Sequence, residues 1–71
     1  MKRHYEVGEK FLCEDGYCEI IADRESGWYM CDHYIDVCDS NGAVIDQRKD
    51  DSPVFYQIAD ILNNTRIYGK F

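Results

Sequence analysis

The sequence predicts an α+β fold, in which an antiparallel β-meander of four strands packs against one C-terminal helix and a fifth strand remains an option. Two observations lead to this fold class. Glycine-containing turn pairs separate runs of strand-forming residues over the first two-thirds of the chain. A Ser-Pro pair then opens a segment whose apolar residues recur at helical spacing. The length of 71 residues predicts a single domain, residues 1–71, with a small core.

The first hairpin is predicted from residues 11–21, where the Asp-Gly pair at 15–16 suits a two-residue type I′ turn. This turn places Cys13 opposite Cys18 and Phe11 opposite Ile20. One face then carries Phe11, Cys13, Cys18, Ile20 and Ala22, and the other carries Glu14, Glu19 and Asp23. The preceding run, 5–11, has the character of an entry strand in a small SH3-like barrel, so closure into such a barrel is an alternative to an open sheet.

The third strand is predicted from Trp28 to Asp39, after a turn at Ser26-Gly27. Its odd positions are the more apolar series. Its even positions are mixed and comprise Trp28, Met30, Asp32, Tyr34, Asp36 and Cys38. A loop of two or four residues before this strand keeps Ile20 and Ala22 on the face of the odd positions, whereas a three-residue loop would reverse them. We therefore expect a loop of two or four residues.

The next connection is predicted to be a type I turn from Asp39 to Gly42 that closes a bulged three-residue loop. This loop pairs Val37 with Ile45 in the fourth strand. An Asn-Gly type I′ turn would pair Val37 with Asp46 instead and would place a carboxylate on the core face. Side-chain consistency favours the bulged loop.

A helix is predicted to begin with Ser52 as its N-cap and Pro53 as its first residue, and to end at Asn63-Asn64. The segment from Thr65 to Phe71 alternates in polarity and predicts a last short strand. The predicted core consists of Phe11, Ile20, Val37, Ile45, Phe55, Ile58 and Leu62.

The acidic residues are concentrated in the middle of the chain. Nine of the fourteen lie between Cys13 and Asp46, where Arg24 is the only basic residue, and the formal net charge is −6. They fall within predicted strands, so they belong to a folded surface. The charge disfavours direct binding to nucleic acid and favours a basic protein surface as the partner. No segment has the composition of a membrane span or a secretory leader, so we expect a cytoplasmic protein.

The predicted binding surface combines aromatic side chains and carboxylates on one sheet face. Its residues are Trp28, Met30, Asp32, Tyr34 and Asp36, together with Glu14, Glu19 and Asp23. Aromatic rings anchor interfaces, and charges steer the approach of a partner. We therefore expect a non-enzymatic protein-binding module without a cofactor, in its most specific form an inhibitor, encoded by a phage or mobile element, that mimics nucleic acid on a nucleic-acid-handling enzyme. The alternatives are a zinc-binding domain and an SH3-like accessory domain of a larger assembly, and a homodimer remains open.

The four cysteines lack the paired C-x2-C spacing of most structural zinc sites. We expect reduced thiols that fill the core, with Cys38 outside it. Two alternatives remain: a disulfide between Cys13 and Cys18, and a metal site. The metal site would consist of Cys13, Cys18, Cys31 and His33. No arrangement of nucleophile, base and oxyanion hole is evident, so an enzyme is not expected.

Overall fold

The computed structural model describes residues 4–24 and 27–71. It confirms the predicted α+β class, with an antiparallel five-stranded sheet followed by one helix. The elements are β1 (Lys10–Cys13), β2 (Gly16–Arg24), β3 (Trp28–Cys38), β4 (Val44–Lys49), β5 (Val54–Gln57) and α1 (Ile58–Tyr68). No helix within the described residues is long and apolar enough to cross a membrane.

Strands β4 and β5 share one edge of β3. β2 occupies the other edge along almost the whole of β3, while β4 pairs with residues 34–38 and β5 with residues 28–31. β1 pairs only with β2 among the described residues, and the sheet is not closed. The alternative of a closed SH3-like barrel is therefore wrong, and the structure is an open sheet.

The first hairpin has a different register from the predicted one. Cys13 pairs with Gly16 and Phe11 pairs with Cys18, so the turn consists of residues 14–15 and Gly16 belongs to β2. A Cβ atom at Gly16 would lie 2.0 Å from the carbonyl oxygen of Tyr34. The glycine is needed for this close approach of two backbones and not for the turn. Because the register shift is two residues, the predicted faces of this hairpin are otherwise preserved.

The connection between β2 and β3 also departs from the prediction. Arg24 pairs with Trp28, so three residues separate the strands; two of them, Glu25 and Ser26, lie outside the described residues. A register shift between Ile20 and Ala22 compensates for this loop. Ile20 consequently pairs with Cys31 on the core face as predicted, but Ala22 changes face.

The turn from Asp39 to Gly42 forms as predicted. The amide of Gly42 donates to the Asp39 carbonyl at 3.1 Å, and the amide of Asp39 donates to the Ala43 carbonyl at 2.9 Å. Cys38 pairs with Val44, but a register shift between Val37 and Cys38 then pairs Val37 with Asp46 and not with Ile45. Val37 and Ile45 are 38% and 65% exposed, so their predicted place in the core is wrong.

The helix begins five residues later than predicted, because residues 54–57 form β5 against the free edge of β3. Ser52 and Pro53 precede this strand and do not cap the helix. Gln57 is the N-cap, and its backbone N–H donates to the Asp60 carboxylate at 3.1 Å. The helix continues through Asn63-Asn64 to Tyr68, so the predicted last strand from 65 to 71 does not form.

The helix packs against β1 and β5 on one face of the sheet, called here the inner face. The core lies between them and consists of Tyr5, Phe11, Cys18, Ile20, Tyr29, Cys31 and Ile61. Ile58 and Leu62 pack at its margin as partly buried residues. Phe55 is paired with Met30 on the opposite or outer face and is 52% exposed, so it does not belong to the predicted core.

Candidate functional site

The even positions of β3 lie together on the outer face, which α1 does not cover. From Trp28 to Asp36 these are Trp28, Met30, Asp32, Tyr34 and Asp36, and exposed Cys38 follows them at the end of the strand. Glu19 is directly opposite Asp32 and joins them. The other two acids of the predicted surface are elsewhere: Glu14 lies in the first turn, and Asp23 pairs with Tyr29 and so follows the inner face. The shift at Ile20/Ala22 causes the second of these departures.

One carboxylate of the outer face is paired within the sheet. Lys49 Nζ lies 3.3 Å from Asp32 Oδ2, and the Asp32 side chain is only 16% exposed. Glu19 is directly opposite Asp32, and Lys49 relieves the repulsion between these two acids. Lys10 is opposite Glu19, but its ammonium group lies over the rings of Tyr17 and Phe71.

Apolar rings supply the exposed part of the outer face. Trp28 is 39% exposed and Phe55 is 52% exposed, on either side of Met30. They line a groove of about 520 Å³ together with Asp23 and Arg24. We call Trp28, Met30 and Phe55 the aromatic end of the outer face. It presents apolar area to solvent beside Arg24, which pairs with Trp28.

At the opposite end of the outer face, aromatic rings stack on one another beside a groove of about 440 Å³. The rings of Tyr17 and Tyr34 lie 4.7 Å apart at an interplanar angle of 11°. Phe71 meets Tyr17 edge-on at 5.0 Å, and Lys10 Nζ lies 5.3 Å from the centroid of the Phe71 ring. The C-terminal residue therefore reaches past β1 to the outer face. The Tyr34 ring therefore packs within the molecule, whereas the rings of the aromatic end are exposed.

Two thiols and an imidazole converge on the inner face, near the first hairpin. Cys18 pairs with His33 across β2 and β3, and Cys13 Sγ lies 3.8 Å from Cys18 Sγ. The ligand atoms of these three residues all lie within 4.8 Å of one another. We call them the thiol–histidine cluster. Cys31, the fourth member of the predicted set, contacts the Tyr29 carbonyl at 3.8 Å and does not join the group found among the described residues.

Burial controls the chemistry of these thiols. Desolvation raises the pKa of Cys18 far above its usual value, and it raises the pKa of Cys13 and moves that of Cys31 to about 11. Desolvation, followed by the nearby thiols, also raises the pKa of the Tyr56 hydroxyl to about 12. The thiols are therefore protonated near neutral pH and are poor nucleophiles in this state.

Sequence reasoning missed three polar neighbours of the cluster. Asp15 Oδ1 lies 2.8 Å from His33 Nε2 and 3.8 Å from Cys13 Sγ. Asp50 Oδ2 lies 4.0 Å from His33 Nδ1, and Tyr56 lines the same pocket as Cys13 and His33. The position of Asp15 two residues after Cys13 was a usable signal. Asp50 and Tyr56 arrive through the pairing of the later chain with β3, for which the sequence has no local signal.

No protein family, curated protein or solved structure matches this chain in the comparisons made. The chain is a small α+β domain in which a helix covers the inner face of the sheet and leaves the outer face open. The thiol–histidine cluster lies on the inner face, near the first hairpin.

A thiol reagent should label Cys38 first, Cys13 more slowly, and Cys18 and Cys31 slowest. Cys38 is exposed, Cys13 is half-buried and the other two are buried with raised pKa values, which lowers both access and the thiolate fraction. Peptide mass mapping at successive times measures the order in reduced, metal-free protein. Denatured protein, in which all four thiols are accessible, is the control. Labelling of Cys18 as fast as Cys38 would contradict the packing described.

Proposed function

We propose that this protein is a non-enzymatic binding module whose outer face engages a basic surface of another protein. The observation that carries the proposal is the pair of exposed rings, Trp28 and Phe55, on the sheet face that the helix leaves open. Exposed aromatic side chains are costly for solubility. Their grouping beside Met30 is typical of a surface that is covered by a partner.

The aromatic end has the form of an interface anchor. Trp28 and Phe55 sit on paired strands, so their backbones are held by the sheet and little order is lost on binding. The groove beside them is also bordered by Arg24, which pairs with Trp28 on the same face, so a charged residue at the rim flanks the apolar centre, as in the usual arrangement of an interface. Binding is therefore assigned to the rings and specificity to the rim.

The charge of the chain supports a basic surface as the partner. The net charge of −6 attracts positively charged surfaces over about one Debye length and raises their association rate. Among the described residues the exposed acids include Glu14 and Asp39, which lie in turns, and Asp46, which lies in β4. Basic surfaces of this kind occur on nucleic-acid-handling enzymes, and inhibition of such an enzyme is the most specific form of the proposal.

The two acids at the centre of β3 are poor choices for testing this interface. Asp32 is paired with Lys49, and Asp36 accepts a hydrogen bond from Gln47 Nε2 at 2.8 Å. Changing Asp32 to lysine would place two ammonium groups together within the sheet. Loss of binding in that variant would report on folding as much as on recognition.

The proposal predicts that Trp28→Ala combined with Phe55→Ala removes binding without unfolding the protein. Proteins captured from the native cells by immobilised wild-type chain are identified, purified and titrated against both forms. A captured partner with a basic surface should lose at least about 30-fold in affinity in the double variant, as expected for two anchors. Its affinity for the wild type should fall as salt is raised.

The matched control is Val7→Ala combined with Ile67→Ala, which removes two exposed apolar side chains outside the aromatic end. This control should bind as wild type. Equal binding by the aromatic double variant, or a partner whose contact surface is acidic, would overturn the proposal. A wild-type dimer that the double variant converts to monomer would show that the occupant is a second copy of the chain, which also overturns it.

A further inference from the structure

We propose that Cys13, Cys18, His33 and Asp15 form a binding site for a single zinc ion. The site lies on the inner face near the first hairpin, whereas the proposed partner surface lies at the aromatic end of the outer face. The two proposals are independent. Neither requires the other to be correct.

The two sulfur atoms already have the spacing of ligands on one tetrahedral ion. Zinc binds thiolate at about 2.3 Å, so two sulfurs at adjacent corners of a tetrahedron lie about 3.8 Å apart. The Sγ atoms of Cys13 and Cys18 are separated by 3.8 Å. With the His33 nitrogen, all three ligand atoms lie within 4.8 Å of one another. A contraction of about 1 Å brings the nitrogen to the separation of about 3.6 Å that a shared ion requires.

The sheet explains why these side chains meet. Cys18 and His33 are directly opposite on β2 and β3, and Cys13 is opposite Gly16, two residues before Cys18. Gly16 has no side chain to separate the two thiols. Two of the three ligands are therefore held by paired strands of the sheet interior, and the third is at the end of β1.

Asp15 supplies the fourth ligand from the turn. Its Oδ1 atom lies 2.8 Å from His33 Nε2 and 3.8 Å from Cys13 Sγ. An oxygen and a nitrogen on the same tetrahedral zinc are about 3.3 Å apart, and an oxygen and a sulfur about 3.5 Å apart. Asp15 is not part of the group whose ligand atoms all lie within 4.8 Å of one another. Its carboxylate would therefore move toward Cys18 as the ion enters, and its contact with His33 would open slightly. The turn then acts as the tight loop from which zinc ligands commonly come.

Two further residues occupy the positions expected of supporting groups around a zinc site. With His33 Nε2 on the ion, the other ring nitrogen faces Asp50, whose Oδ2 atom is 4.0 Å away. Tyr56 lines the pocket at the cluster, where its hydroxyl would donate to a Cys18 thiolate. A carboxylate behind a metal-binding imidazole and a donor to a thiolate are the contacts that orient such ligands.

An entry route is also present. A pocket of about 250 Å³ opens on the cluster and is lined by Cys13, Glu14, Asp15, His33, Tyr56, Asn64 and Tyr68. Exposed Glu14 at its rim attracts cations. The donor set of two sulfurs, one imidazole and one carboxylate favours zinc over magnesium or calcium, which prefer oxygen ligands alone.

Titration of the full-length, reduced, metal-free chain tests the proposal. Zinc should bind at one ion per chain with an affinity tighter than about 1 μM, measured by competition with a chromophoric chelator. Cobalt(II) should give the intense visible absorption of a tetrahedral site and a near-ultraviolet band from thiolate ligation. Zinc should displace both signals.

Variants distinguish these ligands from other cysteines. Cys13→Ser should weaken zinc binding at least about 100-fold and halve the thiolate band, and Asp15→Asn should weaken it about tenfold or more. Cys38→Ser changes an exposed thiol outside the cluster and should behave as wild type. Circular dichroism of each metal-free variant verifies its fold.

Three results would overturn the proposal: no stoichiometric binding, binding that persists unchanged in Cys13→Ser, or an octahedral cobalt spectrum. A Cys13–Cys18 disulfide on exposure to air, in a chain that binds no zinc when reduced, would identify a redox pair in place of a metal site. Capture of partners by Trp28 and Phe55 is measured separately, so failure of one proposal leaves the other intact.

Discussion

Gly16→Ala is expected to destabilise the protein by at least about 3 kcal/mol. The new Cβ would lie 2.0 Å from the carbonyl oxygen of Tyr34 and 3.0 Å from its carbonyl carbon. Both are backbone atoms of the central strand, so no side-chain rotation can relieve the contact. A domain of 71 residues has a total stability of about 4–10 kcal/mol. Urea denaturation followed by circular dichroism should show a large loss of stability or no cooperative transition.

Gly42→Ala is the matched control. A Cβ at Gly42 meets nothing within 4 Å, although the positive φ of 84° costs about 1–2 kcal/mol for a residue with a side chain. The control should therefore remain folded and lose less stability than the variant at Gly16. If the two variants have equal stability, the close approach of β2 to β3 at Gly16 is wrong.

Ile61→Ala is expected to cost about 2–5 kcal/mol, because the side chain is fully buried where α1 meets the sheet. Its removal leaves a cavity among Phe11, Cys18 and the other core residues. In a domain of this size the midpoint of thermal unfolding should fall by at least about 10 °C. Differential scanning calorimetry measures this shift directly.

Phe55→Ala is the control for Ile61→Ala. Helical spacing places Phe55 and Ile58 in the core, and that reasoning predicts a cost of several kcal/mol for removing the phenylalanine. In the structure Phe55 belongs to β5 and is half exposed on the outer face. Its loss should leave the melting temperature within a few degrees of wild type. A collapse of stability in Phe55→Ala with none in Ile61→Ala would invert the assignment of the two faces.

The position of Phe55 also links stability to function. Phe55 is expected to contribute little to folding, and it lies next to exposed Trp28. In the proposed binding module its role is to contact the partner. The thiol–histidine cluster has the opposite character, since Cys18 is fully buried and its neighbours come from three strands. Zinc would thus stabilise the hairpin end of the sheet, and the aromatic end would stay free for a partner.

Local patterns predicted several details correctly. The parity of β3 places Trp28, Tyr34 and Asp36 on one face, and the Asp39–Gly42 turn forms with its expected hydrogen bonds. The pairing of Cys18 with His33 is the one that a four-residue loop would give, but the loop has three residues and the shift at Ile20/Ala22 restores the register. The parity and the turn depend on a few neighbouring residues, where turn chemistry and period-2 alternation act directly.

Other predictions failed where contacts with a distant part of the chain override the local pattern. Residues 54–57 share helical spacing with residues 58–62, yet they pair with the free edge of β3, which satisfies its exposed backbone groups. The segment after Asn64 alternates like a strand, but it continues a helix that is docked through Ile61. The sequence predicted which acids lie along β3, but it did not predict the ion pair between Asp32 and Lys49.

The sequence by itself determined the α+β class, the meander of the first four strands, the parity of β3 and the acidic character of the chain. These features depend on spacing and composition, which act within a few residues of one another. Only the tertiary structure decided that the sheet stays open, that Gly16 marks a backbone contact, and that Asp15, Asp50 and Tyr56 surround the two thiols and His33. The reason is physical: bulges at Ile20/Ala22 and Val37/Cys38 shift register by one residue, and each shift is selected by packing across the whole sheet.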